Sequence, residues 1–422
     1  MNEEFLHYIW SQELFSKNLV ADTGESVEVI TIGTHNRDSG PDFINARIKI
    51  DQTIWAGNIE IHIDSSHWEM HKHHTNAAYD NVILHVVDSF SNPVFSSNGR
   101  KIPTVVIQFE QELFAKYKEL TEKQQPVPCH HDLNTVNDFL VNLWLDSLII
   151  ERLENKTEYI KSIFEHTKNN WEETFYIALA RNFGFNTNAL PFEMLAKSIP
   201  LKILSKYKIN LQQLEALLFG QAGFFGVPCD DLYYTELQKE YTYFQKAHQL
   251  NPIENHLWKF LRLRPQNFPT IRIAQFASLV NHSQHLFSRT IDANDVKELI
   301  GLYQCQAGGY WEEHFNFGNK SNKAEKKLGK SSITGLFINT VIPFLFLYGK
   351  HLSNQKLQDK ALSLLEQLPA EANHVVKDWS EAGIKAYNAY QSQALLQLTN
   401  EYCNKKNCLY CQIGNSIIQK TN

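Results

Sequence analysis

The sequence is poor in cysteine, carries little excess charge and lacks a long apolar run. Its 422 residues include six cysteines, too few for a disulfide scaffold. The formal net charge of −6 gives no general attraction to nucleic acid or anionic membranes, so any such binding requires a local patch. No apolar run approaches the ~20 residues of a membrane span, and the acidic N-terminus MNEEFLHYIW is unlike a signal peptide. We therefore expect a soluble, cytoplasmic protein that does not bind a membrane.

The order of the patterns predicts an α+β protein in which a mixed sheet comes first and helices follow. Runs rich in Val and Ile alternate with turn residues after one helix-like stretch, which is typical of strands. We place an α/β domain at residues 1–120 and a larger all-helical domain at residues 129–422, joined by a polar, proline-containing linker. The predicted strands are 27–32, 43–50, 54–63, 82–87 and 103–109, with a short helix within 67–79.

Apolar residues recur at helical spacing beyond the linker. Leu140, Leu143, Trp144 and Leu148 are predicted to share one face of a helix. We therefore expect the second domain to contain helices throughout. Similar stripes occur in residues 171–179, 211–218, 361–368 and 386–398.

The densest polar chemistry of the first domain lies between residues 35 and 85. A turn delivers Asp42 to the start of one predicted strand, and Glu60 and His62 lie on one face of the next because side chains alternate along a strand. If the two strands are neighbours, the Asp42 and Glu60 carboxylates can share an ion. Such oxygen donors suit Mg or Mn, which can activate water and neutralise charge on a phosphodiester. His62 is then placed to orient or deprotonate the attacking water.

The pattern Pro41-Asp42 followed by Glu60-Ile61-His62 resembles the signature of the PD-(D/E)XK nuclease superfamily. That superfamily has Pro-Asp on one strand, Asp/Glu-x-Lys on the next and often a Glu on the preceding helix, for which Glu4 and Glu13 are candidates. The resemblance implies a metal-dependent nuclease acting on nucleic acid, DNA in the first place. Because His62 stands where the superfamily has Lys, the alternative is a non-catalytic nucleic-acid-binding or scaffold protein with a degenerate nuclease fold.

Histidines around this motif give a rival interpretation. On a helix, His67 and His71, or His71 and His74, would share a face, and such pairs can bind zinc. A zinc hydrolase using the His67–His74 cluster is therefore a further hypothesis, although the chain has no His-Glu-x-x-His pattern. The full set is His62, His67, His71, His73, His74 and His85.

Longer stretches resemble a bacterial family filed as domain of unknown function 2851. Those in the first domain are GTHNRDSGPDFINARI, GNIEIHIDSSHWEMHKHH and YDNVILHVV. Those beyond it are EALLFGQAG, RLRPQNFPTIRIAQ and YCNKKNCLYCQIG. The resemblance covers essentially the whole chain but implies no activity, so the residues must carry the functional argument.

Half of the cysteines lie within nine residues near the C-terminus. Cys403, Cys408 and Cys411 have the spacing of metal ligands, but a tetrahedral zinc or a cubane iron–sulfur cluster needs a fourth thiolate. Cys129, directly after the linker, is the preferred fourth ligand, ahead of Cys305 and Cys229. The spacing does not separate zinc from an iron–sulfur cluster, and inert buried cysteine is the alternative.

Three arginines form a candidate nucleic-acid contact. Arg262, Arg264 and Arg272 bracket the segment PQNFP just before a predicted helix, where backbone amides and guanidinium groups can bind phosphate together. The alternative is ion pairing with some of the chain's 46 acidic residues.

Overall fold

The computed structural model describes residues 1–283 and 285–420, which form two compact units. The first, here called the sheet unit, comprises Met1–Trp144, Glu381–Gly383 and the chain from Leu398 onward. The second, the helical unit, comprises Leu145–Ser380 and Ile384–Gln397. The protein is therefore mixed α/β, with an N-terminal mixed sheet and a larger helical region. The C-terminal segment, assigned from sequence to the helical domain, groups with the sheet unit; independent folding of the predicted domains stays a prediction.

Strands of the sheet unit are β1 (Leu19–Val20), β2 (Ser26–Thr31), β3 (Thr34–His35), β4 (Phe43–Ile50), β5 (Thr53–Asp64), β6 (Val82–Ser89), β7 (Val94–Phe95), β8 (Lys101–Ile102) and β9 (Thr104–Val106). Seven of them form one sheet in the order β1-β2-β4-β5-β6-β9, with β3 paired to β4. Pairing is antiparallel from β1 to β5 and parallel between β5, β6 and β9. All five predicted strands are thus confirmed.

Helix α1 (Glu3–Ser11) contributes Phe5, Leu6 and Trp10 to the core of the sheet unit. Asn2 caps this helix by accepting a hydrogen bond from the backbone N–H of Phe5. The segment predicted to be a short helix is broken into α2 (His67–Met70) and two 3₁₀ turns, His73–Thr75 and Ala77–Tyr79. Helix α3 (Gln111–Glu122) follows the sheet, and a 3₁₀ segment spans His130–Thr135.

The helical unit is built mainly from helices, and the predicted stripes lie on them. Leu143, which the first stripe placed inside, is 56% exposed, because the buried face of α4 (Asp138–His166) carries Val141 and Leu145 together with the predicted Leu148. Its helices are α4 (Asp138–His166, begun in the sheet unit), α5 (Trp171–Phe183), α6 (Phe185–Ser198), α7 (Leu201–Tyr207), α8 (Leu211–Gln221), α9 (Leu232–His248), α10 (Pro269–His282), α11 (Leu286–Asp292), α12 (Val296–Tyr303), α13 (Lys330–Leu336), α14 (Ile342–His351), α15 (Gln355–Gln367), α16 (His374–Glu381) and α17 (Ala389–Gln397). The last helix, α18 (Gln412–Gln419), belongs to the sheet unit.

Short strands also occur in the helical unit, so the predicted all-helical character is only approximate. β10 (Gln306–Ala307) pairs with β13 (Lys326–Lys327), and β11 (His314–Asn316) pairs with β12 (Asn319–Lys320). These pairs of two or three residues give no alternating apolar pattern, which is why the sequence did not indicate them.

One continuous helical segment, Lys330–His351, is long and apolar enough to cross a membrane by length and composition. It joins α13 to α14 through a π-helical stretch, Phe337–Val341. Because 72% of its apolar window is buried inside the protein, it has the character of a core helix of a soluble protein. Cytoplasmic location stays a prediction.

Candidate functional site

Asp42 and Glu60 are brought together by the antiparallel pairing of β4 and β5. Asp42 immediately precedes β4, and Phe43 stands opposite Ile59 in the register. The backbone N–H of Asp42 donates to Oε2 of Glu60 over 3.1 Å. The backbone N–H of Ile61 donates to Oδ2 of Asp42 over 2.8 Å. Each carboxylate is therefore held by the other's strand, as the sequence pattern predicts for neighbouring strands.

The electrostatics of Glu60 reflect this crowding. Its side chain is buried, and burial followed by the negative charge of Asp42 raises its pKa well above the usual range of a carboxyl. The hydrogen bond from the Asp42 backbone opposes this shift. A buried carboxylate beside a second one needs a cation or a proton nearby.

Two histidine side chains lie against one carboxylate oxygen of Glu60. Oε1 of Glu60 lies 3.5 Å from Nε2 of His62 and 3.2 Å from Nε2 of His73. Lys72 has φ of +62°, and this left-handed residue separates α2 from the 3₁₀ turn that carries His73. One nitrogen each from His62, His71 and His73 lie within 4.8 Å of one another. The three imidazoles thus offer donors to a single point, and Glu60 lies against two of them, His62 and His73.

His62 is held in a form that can bind a metal. Its Nδ1 lies 2.9 Å from Nε2 of His85, and its Nε2 lies 3.2 Å from Nδ1 of His71. Burial, with the neighbouring histidines, lowers the pKa of His62 to about 2. Burial and His73 likewise lower the pKa of His85 to about 3. Both rings are therefore neutral, and an N–H of His62 directed at His85 leaves the Nε2 lone pair facing Glu60.

Helix α1 contributes a residue that the sequence analysis missed. Nε2 of His7 lies 3.3 Å from Oδ2 of Asp42. Burial lowers the pKa of His7, but its hydrogen bond and charge attraction to Asp42 outweigh this, so the net shift is upward. Glu4 is exposed and Glu13 pairs with Lys17, so neither proposed helix acid occupies this position.

No local pattern in the sequence places His7 beside Asp42. His7 stands four residues after Glu3, on the same helical face, and Glu3 Oε1 lies 3.4 Å from Nδ1 of His67. His67 and His74 were grouped with His71 by helical spacing, but α2 ends before His71. Within the described residues, neither belongs to the close group of three nitrogens.

A second cluster of potential ligands lies in the sheet unit. All four predicted cysteines, Cys129, Cys403, Cys408 and Cys411, line one cavity of about 20 Å³. That volume accommodates a single water-sized occupant. No three of these sulfurs lie within 4.8 Å of one another in the described part of the chain, so they do not converge as closely as the histidines. Leu120, Pro128, Tyr402 and Gly414 complete the wall.

The thiols of this cavity are buried and influence one another. Burial, followed by the charges of Cys411 and Cys408, raises the pKa of Cys129 to about 12. Burial, followed by Cys411, raises that of Cys408 to about 11. Gly414 permits this arrangement, because a Cβ there would lie 2.4 Å from the carbonyl oxygen of Cys408. Without a cation the four groups are neutral thiols at neutral pH.

The three candidate arginines do not share one surface. Arg262 and Arg264 are exposed, whereas Arg272 is 6% exposed in the first turns of α10. The guanidinium of Arg272 donates to Gln275, Asn267 and Ser332 within the helical unit. A joint contact of all three with nucleic acid stays a prediction that this geometry does not favour.

Comparison with known proteins identifies a family and no activity. A family model described as "Protein of unknown function (DUF2851)" matches residues 3–374. No curated protein matches the chain. No solved structure matches it either.

Proposed function

The chain belongs to the DUF2851 family of proteins of unknown function, and from its site we propose that it is a metal-dependent hydrolase of phosphodiester bonds. The observation that carries this proposal is the position of Glu60, whose Oε1 lies within 3.5 Å of Nε2 of both His62 and His73. His71 completes the donor set. Three imidazoles and one carboxylate favour Mn or Zn over Mg, because imidazole suits transition ions.

The chemistry would divide between the ion and the surrounding residues. A bound ion lowers the pKa of its water and neutralises negative charge on a phosphodiester. Glu60, His62, His71 and His73 would hold the ion, and His85 would fix the tautomer of His62. Asp42 would orient the attacking water as proton acceptor. His7, 3.3 Å from Asp42, would give a proton to the leaving oxygen.

Nucleic acid, DNA in the first place, is the proposed substrate. The order α1, antiparallel β2, β4 and β5, then α2 and parallel β6 agrees with the element order of the PD-(D/E)XK superfamily and supports this choice. With three histidines able to bind the ion, His62 acts as a ligand rather than as a replacement for the superfamily's lysine. The alternative is a protein with the same fold that binds nucleic acid without cutting it.

The thiol cavity is proposed as a separate, structural metal site. Cys129, Cys403, Cys408 and Cys411 supply the four ligands that a tetrahedral zinc or a cubane cluster requires. A mononuclear zinc would draw the sulfurs to about 3.7 Å from one another, given a Zn–S distance of roughly 2.3 Å. An iron–sulfur cluster binds each thiolate to a different iron and leaves them further apart.

Metal content combined with activity tests the catalytic proposal. The full-length protein would be stripped with a chelator, reloaded with Mg, Mn or Zn, and assayed on single- and double-stranded DNA and on RNA. Cutting that depends on Mn or Zn and is lost in Glu60→Gln supports the proposal. Binding of DNA without cutting under any of these ions would favour the binding protein.

A matched control variant distinguishes the proposed metal ligands from a neighbouring histidine. His74→Ala changes a nearby histidine outside the close group, so metal binding and activity should stay at the wild-type level. His73→Ala should lose both. Equal effects of the two substitutions would contradict the proposed ligand set.

A further inference from the structure

The helical unit contains a cavity of about 400 Å³ whose lining residues belong to neither proposed metal site. It lies where α6 begins, beside the segment that precedes α10 and the start of α13. Its volume is within the range of about 300–1,000 Å³ that is typical of small-molecule sites. The residues that matter here are Phe185, Thr187, Asn267, Arg272, Ser331 and Ser332.

Arg272 is the one permanently charged side chain among the residues that line this cavity. Its partners are neutral: Oε1 of Gln275 at 3.0 Å, Oδ1 of Asn267 at 2.7 Å and Oγ of Ser332 at 3.2 Å. Its guanidinium also stacks over Phe185, with 4.5 Å to the ring centroid. Within the described residues, no acidic side chain pairs with it and its Nε has no hydrogen-bond partner.

A buried guanidinium without an acidic partner lacks a counter-charge. Burial lowers the pKa of Arg272 to about 10, which leaves the group charged at neutral pH. An isolated buried charge is costly unless it is paired, and here only neutral acceptors surround it. Ser331, Ser332 and Thr187 line the same cavity and supply hydroxyl groups, while the Nε of Arg272 is buried without a hydrogen-bond partner.

We propose that this cavity binds a small molecule through a phosphate group, with Arg272 as the charged anchor. A guanidinium presents planar, directional donors that match phosphate oxygens, and hydroxyl groups can serve the remaining oxygens. The occupant is either inorganic phosphate or the phosphate monoester of a small molecule such as a nucleoside monophosphate. This site does not depend on the metal-dependent activity proposed for the sheet unit.

Calorimetric titration of the full-length, metal-stripped protein tests the inference. The probes are inorganic phosphate, a nucleoside 5′-monophosphate and the corresponding nucleoside, which lacks the phosphate. We expect saturable binding of at least one phosphate-bearing probe and none of the nucleoside. Tighter binding of the monophosphate identifies an organic ligand, and equal binding identifies the free ion. No saturable binding of either phosphate probe overturns the proposal.

Variants show whether Arg272 is the anchor. Arg272→Gln should weaken phosphate binding by about tenfold or more, because a charge-assisted bond is lost. Arg264→Gln, an exposed arginine a few residues earlier, should leave the affinity unchanged. If Arg272→Gln does not fold, Ser332→Ala provides the test and should weaken binding severalfold. Unchanged affinity in both Arg272→Gln and Ser332→Ala would overturn the assignment.

Discussion

The histidine–carboxylate site and the thiol cavity belong to the same unit but are assembled in opposite ways. The first draws its donors from Asp42 to His73, along two paired strands and the turn that follows them. The second joins Cys129 to a segment that begins 274 residues later (403 − 129). Strand register therefore creates the first site, whereas the return of the chain creates the second. Disruption of the first should affect chemistry, and disruption of the second should affect stability.

The two sites also differ in what their donors require. Glu60 and Asp42 are neighbouring acids, and burial followed by the negative charge of Asp42 raises the pKa of Glu60. The thiols are neutral when free and tolerate burial well. In the histidine–carboxylate site, a cation would neutralise the two neighbouring acids. In the thiol cavity, a cation would convert inert thiols into a cross-link.

The largest effect is expected from opening the thiol cavity. Cys129→Ser should lower the free energy of unfolding by roughly 5 kcal/mol, because it removes the one proposed ligand that lies outside the C-terminal segment and so opens a cross-link across more than 100 residues. Denaturant unfolding measures this, and treatment with a chelator should reproduce it. Activity per folded molecule should stay unchanged.

Cys229→Ser is the matched control for this prediction, because Cys229 belongs to the helical unit and is not among the residues that line the cavity. It should change stability by less than about 0.5 kcal/mol. An equal loss in the two variants would remove the distinction between the sites. Absorbance of the purified protein near 400 nm would identify an iron–sulfur cluster, and elemental analysis would identify zinc.

Glu60→Gln should do the reverse and abolish chemistry while sparing stability. We expect cleavage to fall by more than about 100-fold, since even residues that only support a ligand are worth 10- to 100-fold. Stability should stay level at neutral pH, because the raised pKa keeps Glu60 protonated there and the Gln amide replaces a neutral carboxyl group. A variant that cuts at the wild-type rate would place the ion elsewhere.

His85 offers a finer test, because its side chain contacts a proposed ligand, His62, and is not itself one of the three converging histidines. His85→Leu removes the hydrogen-bond acceptor that fixes the tautomer of His62, so metal affinity should fall by about 10- to 100-fold. His85→Gln retains an acceptor oxygen and should recover much of that affinity. Competition with a chromogenic chelator gives the dissociation constants, and identical constants for the two variants would exclude a positioning role.

The smallest predicted effect is a pH dependence of metal affinity. We expect it at the histidine–carboxylate site near Glu60. The raised pKa keeps Glu60 protonated at neutral pH, and the proton competes with the ion. Raising the pH removes that competitor, so metal affinity should increase by up to about tenfold from pH 7 to pH 8. Glu60→Gln should flatten the dependence of any remaining affinity. A flat wild-type profile would mean that Glu60 does not release a proton on binding.

Much of the sheet was predictable from local pattern. Runs of Val and Ile between turn residues predicted β2, β4, β5, β6 and β9, and alternation along β5 placed Glu60 and His62 on one face. Helical spacing failed for the histidines, because α2 spans four residues and Lys72 then adopts a left-handed conformation. His7 was missed since nothing local connects α1 to Asp42.

By itself, the sequence determined the type and order of most elements, the Asp42–Glu60–His62 pattern and the identity of the four cysteines. These properties depend on side-chain periodicity and residue chemistry, which are local. The tertiary structure decided which histidines meet Glu60, that the C-terminal segment belongs to the sheet unit, and that Arg272 is buried while Arg262 and Arg264 are exposed. Those outcomes depend on packing between residues distant in the chain, and burial, rather than composition, sets the charge and reach of each group.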